Sequence, residues 1–114
     1  MAIETIGVVG AGQMGNGIAH VSAQSGRRVI MHDVEDGFVE RGLKTIDKNL
    51  QRGVDKGRMS DEDKAATLER LTGTTRLEDL EGADIVIEAV VEDLGVKEKL
   101  FGELDRICRP GVIL

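Results

Sequence analysis

The feature that most constrains this chain is a turn near its start. Thr5, Ile6, Gly7, Val8 and Val9 form an apolar run too brief for a helix, and it stops at Gly10-Ala11-Gly12-Gln13-Met14-Gly15. Three glycines in G-x-G-x-x-G register are a weak signal in a chain with 15 glycines among 114 residues, so their weight comes from the flanks. Over 13–25 the apolar Met14, Ile18 and Val21 recur at helical spacing, with Ala19 and Ala23 as small neighbours. Gly26 stands where a helix C-cap glycine belongs. Arg28–His32 is a second short run, ended by Asp33. Strand, tight turn, helix and strand within about 30 residues predict a βαβ unit with a right-handed crossover.

That context turns the motif into a ligand expectation. Gly10 permits the turn, Gly12 keeps the backbone open to a ligand, and Gly15 lets the helix pack closely on the strand. The backbone amides of Gly10, Ala11, Gly12, Gln13, Met14 and Gly15 then face a pyrophosphate, helped by the helix dipole. Asp33, 18 residues beyond Gly15, falls where a carboxylate accepts hydrogen bonds from an adenosine ribose. With Glu35 and Asp36 close behind and no Arg there, it would repel a 2′-phosphate, so NAD is expected over NADP. The competing role for Asp33 is a cap of the next helix, for which Asp36 is equally placed.

Further along, Val39, Leu43, Ile46, Leu50 and Val54 mark a long amphipathic helix over 36–57. Ser60 with Asp63 reads as a capping box opening a shorter helix through Leu71, closed by Gly73. A weak strand is expected over 74–77 and a strong one over 84–91, apolar on both faces as covered parallel strands are. Val96, Leu100, Leu104 and Ile107 predict another helix, stopped by Pro110-Gly111, and 112–114 opens a further apolar run. The expectation is an α/β, Rossmann-like doubly wound parallel sheet of order 3-2-1-4-5. A helical pair is inserted between strands 2 and 3, and residues 1–114 form one incomplete domain cut within strand 5.

Composition removes several classes. A net charge of −6 disfavours nucleic acid, and two aromatics, Phe38 and Phe101, offer no stacking platform for bases. No apolar stretch is long enough to span a membrane and no export signal is visible. A single cysteine, Cys108, suits a reducing, cytoplasmic setting and reads as a packed side chain; with only His20 and His32 beside it no metal site is expected. Both histidines read as structural, lacking an evident carboxylate partner. Glu88 falls inside the strong strand and Glu92 just past its carboxyl end, where ligands of open α/β sheets lie; a solvated loop carboxylate is the alternative for Glu92. Lys97, at a helix start, asks for a nearby anion, either a ligand phosphate or Glu92. Lys44, Lys48, Arg52 and Lys56 form a solvated face or a grip for an anionic substrate.

Taken in order, G-A-G-Q-M-G-N-G-I-A, Asp33, the long helix, I-E-A-V-V-E-D at 87–93 and V-K-E-K-L-F at 96–101 closely resemble the amino-terminal domain of 3-hydroxyacyl-CoA dehydrogenases, bacterial 3-hydroxybutyryl-CoA dehydrogenases included. The resemblance covers the whole chain. It implies NAD-dependent interconversion of a 3-hydroxyacyl-CoA and a 3-ketoacyl-CoA by hydride transfer. It also implies that Ala89, Glu92 and Lys97 lie by the nicotinamide half of NAD, and that acyl-CoA is met by Lys56 and by Asn49, where many members carry Ser. The family's Asn-Thr-Ser-Ser segment, catalytic His, paired Glu and homodimerising carboxyl-terminal helical domain all fall later in its members. This chain alone is therefore expected to bind NAD without turnover. Two rivals share the glycine turn: an NAD domain of another hydroxyacid dehydrogenase, and a non-catalytic NAD-binding structural or sensing module.

Overall fold

The computed structural model describes residues 3–89. Four parallel strands, β1 (Thr5–Val9), β2 (Arg28–His32), β3 (Leu71–Thr74) and β4 (Ile85–Glu88), form one sheet in the order β3-β2-β1-β4. The order reverses at β1, which pairs β2 on one side and β4 on the other, with Val9 facing His32 and Glu88. This is the expected doubly wound arrangement. The expected helix over 96–107, the fifth strand and Cys108 lie outside the described residues.

Alternation along the strands separates two cores. Ile6, Val8, Val29 and Met31 face helices α1 (Gln13–Gln24) and α2 (Asp36–Asp55), meeting Ala19, Ala23, Ile46 and Leu50. Val9 and Val86 face the other way, against Leu80 and Ala83, with Leu77 and Ile30 packed alongside. Leu77 and Leu80 belong to a single 3-10 turn, Leu77–Leu80. At the amino-terminal ends of the strands, Asp84 accepts hydrogen bonds from the amides of Glu4 (2.9 Å) and Thr5 (3.0 Å), fastening the start of β4 to β1.

The helix ends follow the sequence signals. Gly26 (φ 102°) closes α1: its amide reaches the Ala23 carbonyl and that of Arg27 reaches Ser22. This is the Schellman pattern, which requires a left-handed residue at that point. Gly57 (φ 71°) ends α2 in the same way. Ser60 and Asp63 form the predicted capping box of α3 (Asp61–Glu69), Ser60 Oγ accepting from the Asp63 amide at 3.0 Å. The helical pair α2–α3 therefore stands between β2 and β3 as expected. Among the described residues, no helix is long and apolar enough to cross a membrane.

Two expectations are corrected. Leu71 and Gly73 do not close α3; they belong to β3, which begins three residues before the predicted 74–77 strand, with Leu71 opposite Val29 and Gly73 opposite Met31. Gly73 is small because α2 crosses it: a Cβ there would collide with the Val39 side chain and stand 3.0 Å from Leu43 Cδ1. The buried stripe of α1 is also different. Met14 and Val21 are 69% and 68% exposed, whereas Gly15, Asn16, Ala19 and Ala23 are buried. The small residues form the packing face because helix and strand approach too closely there for larger ones.

Candidate functional site

The β1–α1 turn lies at the carboxyl end of the sheet, beside the point where strand order reverses. Gly10 has φ 109°, a conformation that side-chain-bearing residues rarely adopt, and its amide donates to the His32 carbonyl at 2.7 Å. Gly15 supports the turn from above: a Cβ on Gly15 would fall on the Gly10 carbonyl. Helix α1 can therefore start only where residue 15 has no side chain. Gly12, the N-cap, provides no side-chain cap, and among the described residues a Cβ built on it meets nothing within 4 Å. No described residue therefore covers the turn at Gly12, where a ligand would press.

The amides sort cleanly. Gly10 is spent on β2, Ala11 donates to Asp33 Oδ2 at 2.9 Å, and the Asn16 amide reaches the Gly12 carbonyl at 2.8 Å as the first helical bond. The amides of Gln13, Met14 and Gly15 have no acceptor among the described residues. Three donors left unfilled by the described residues, at the positive end of a 12-residue helix, form a candidate anion cradle.

Asp33, just past the end of β2, aims its carboxylate at this turn. Besides Ala11, it accepts from the Val34 amide at 2.7 Å through Oδ1. Each carboxylate oxygen retains acceptor capacity, and the half-buried group carries its charge beside the cradle. It does not cap α2: the N-cap is Glu35, with no side-chain cap hydrogen bond. Ala89, past the end of β4, donates to the Val9 carbonyl at 2.8 Å, and a Cβ on Gly15 would come 3.7 Å from the Ala89 methyl. Ala89 thus borders the same turn. Glu88 is half-buried in β4. Glu92 and Lys97 lie outside the described residues.

The remaining candidates are elsewhere. His20 pairs through Nε2 with Gln24 Oε1 at 3.0 Å. His32 is buried; its Nε2 meets the Thr75 carbonyl at 3.2 Å and its Nδ1 has no partner among the described residues. Burial pushes this imidazole below its ordinary pKa, partly opposed by the Thr75 carbonyl and by Asp33, Glu78 and Asp79. On the far side of α2, Lys44, Lys48, Arg52 and Lys64 line a groove of about 440 Å³ with Asp47 and Asp55. Lys64 is held there by Asp47 (2.9 Å) and Gln51 (2.7 Å). Asn49 and Lys56 are exposed on a neighbouring stripe of the helix and do not line that groove.

A doubly wound sheet with a glycine turn, unfilled helix-start amides and an acidic residue beyond the second strand defines a dinucleotide-binding domain. Comparison with known proteins narrows this class. Residues 5–114 match the family described as 3-hydroxyacyl-CoA dehydrogenase, NAD binding domain, and the chain belongs to that family, whose cofactor is NAD. It is 44% identical over 112 residues to 3-hydroxybutyryl-CoA dehydrogenase of Bradyrhizobium diazoefficiens, covering 98% of this chain and 38% of that protein. It is 46% identical over 106 residues to the Mycobacterium tuberculosis 3-hydroxybutyryl-CoA dehydrogenase, covering 93% and 37%. Among solved structures, (S)-3-hydroxybutyryl-CoA dehydrogenase from Ralstonia eutropha superposes with a TM-score of 0.95 at 42% identity, over 98% of this chain and 40% of that one. The chain thus spans about 40% of the length of such relatives. The cradle fits the cofactor: it offers donors to a diphosphate and a carboxylate to a sugar diol.

The glycine turn and Asp33 were visible in the sequence because each imposes a backbone or charge requirement at a fixed spacing. The bond from Ala11 to Asp33 and the packing of α2 behind the turn were not, since no local pattern marks them.

Proposed function

We propose that this chain is the nucleotide-binding part of an NAD-dependent dehydrogenase interconverting a 3-hydroxyacyl-CoA, with 3-hydroxybutyryl-CoA the preferred candidate, and its 3-ketoacyl-CoA. Bound NAD supplies the hydride acceptor or donor. The amides of Gln13, Met14 and Gly15, on the turn shaped by Gly10, Ala11 and Gly12, receive the pyrophosphate. Asp33 receives the adenosine ribose and selects against a 2′-phosphate. Ala89, Glu92 and Lys97 border the nicotinamide half, and Asn49 and Lys56 meet acyl-CoA.

The observation that carries this reading is the Asp33 carboxylate, held by the Ala11 amide beside three unfilled helix-start donors. The chain's two histidines do not provide the proton transfer that alcohol oxidation needs, His20 being bound to Gln24 and His32 buried in the sheet. These 114 residues are therefore proposed to bind NAD without turnover. The proposal extends to a cytoplasmic setting, supported by the single cysteine, and to a homodimer for the full-length protein. The test is NADH fluorescence titration followed by acetoacetyl-CoA-dependent NADH oxidation. Saturable NADH binding with no oxidation is expected; saturable turnover by the chain itself, or no binding, would contradict the proposal.

A further inference from the structure

Helix α2 packs behind the nucleotide turn, and at Gly42 it leaves no room for a side chain. Gly42 is buried at mid-helix, and a Cβ built on it would stand 2.8 Å from the Ala11 carbonyl oxygen, 3.1 Å from Ala11 Cβ and 2.9 Å from Met31 Cε. The methionine tip can swing aside. The Ala11 carbonyl cannot, because Ala11 is 4% exposed and its own amide is committed to Asp33 Oδ2 at 2.9 Å. Ala11 is thus confined on both sides: position 42 of α2 leaves no room for a side chain against its carbonyl and methyl, Asn16 Nδ2 approaches the same carbonyl at 3.5 Å, and the Asp33 carboxylate holds its NH. Nothing in helix propensity favours a glycine at this point; relative to Ala it costs roughly 1 kcal/mol in a helix interior. Its presence answers a spatial requirement.

We infer that Gly42 is a positioning residue of the nucleotide site: it lets α2 seat against Ala11 and thereby fixes both the phosphate turn and the carboxylate that the turn holds. This rests on the nucleotide reading proposed above and adds a residue that touches no ligand. A methyl at position 42 must push α2 outward or drive Ala11 toward the cradle. Either shift changes the distance between the Asp33 carboxylate and the free amides of Gln13, Met14 and Gly15, which must engage one rigid ligand together. Such misplacements are felt strongly in binding even when the fold survives.

NADH titrations of the purified protein, its Gly42→Ala variant and a Gly37→Ala control test this. Gly37 lies on the same helix, and among the described residues a Cβ there meets nothing within 4 Å. Gly42→Ala is expected to raise the NADH Kd about tenfold or more, with Gly37→Ala leaving it unchanged. A double-mutant cycle with Asp33→Ala separates positioning from general loosening. If Gly42 acts through the Ala11–Asp33 bond the two effects are strongly non-additive, whereas additive effects overturn the inference. A Kd for Gly42→Ala within about twofold of wild type also overturns it. Should Gly42→Ala fail to fold, Ala11→Gly/Gly42→Ala moves the methyl from turn to helix at constant volume; it is expected to fold with a raised Kd, and a wild-type Kd would contradict the inference. Absence of NADH binding by wild type would instead sink the nucleotide reading, and the positioning role with it.

Discussion

In the proposed reading, one carboxylate, Asp33, carries the site's selectivity. Its charge assists both hydrogen bonds it accepts from backbone and opposes any phosphate brought alongside, with Glu35 and Asp36 adding to the repulsion. Asp33→Asn should therefore weaken NADH binding by about tenfold, the worth of a charge-assisted hydrogen bond, and narrow the preference over NADPH; calorimetry of both nucleotides reads the two effects. Gly15→Ala places a methyl on the Gly10 carbonyl, so NADH binding should be lost together with a fall in thermal stability. His32 supplies a pH signature. Its folded pKa is depressed, so the unfolded chain binds the proton more readily. The stability contributed by the neutral ring is complete above the unfolded value of about 6.5 and is lost as pH falls from there toward the folded pKa. Denaturant midpoints should drop on acidification through that window. His32→Gln, which keeps a donor for the Thr75 carbonyl but does not titrate, should reduce the slope in proportion to the histidine's share.

Among the elements, those legible in advance carry their instructions locally. The first strand, its glycine turn, the Schellman ends at Gly26 and Gly57 and the Ser60–Asp63 box each satisfy backbone groups within a few residues, so spacing alone reveals them. Removing the cap by Ser60→Ala should cost about 1 kcal/mol in denaturant unfolding and leave NADH affinity unchanged, because α3 lies away from the cradle. What escaped the sequence depends on distant partners. Gly73 looks like a helix stop, yet it is small because Val39 and Leu43 of α2 cross β3 at that point. The stripe of Met14 and Val21 has the spacing of a core face, but closeness between α1 and the sheet gives the buried positions to Ala19 and Ala23. Gly42 carried no signal at all, since a glycine inside an amphipathic pattern is locally indistinguishable from a weak position.

At the scale of the whole molecule, the sheet's reversal at β1 brings the two halves of the site together. One neighbour, β2, delivers Asp33; the other, β4, delivers Ala89; the helix rising from β1 contributes the amides. This convergence is why family membership and geometry agree on NAD. The central claim is that a diphosphate seats on the amides of the first helical turn while Asp33 takes an unphosphorylated ribose. Parallel calorimetric titration with NADH and NADPH tests it most directly: NADH should bind at least about tenfold more tightly, whereas equal affinity for the two nucleotides would contradict the account.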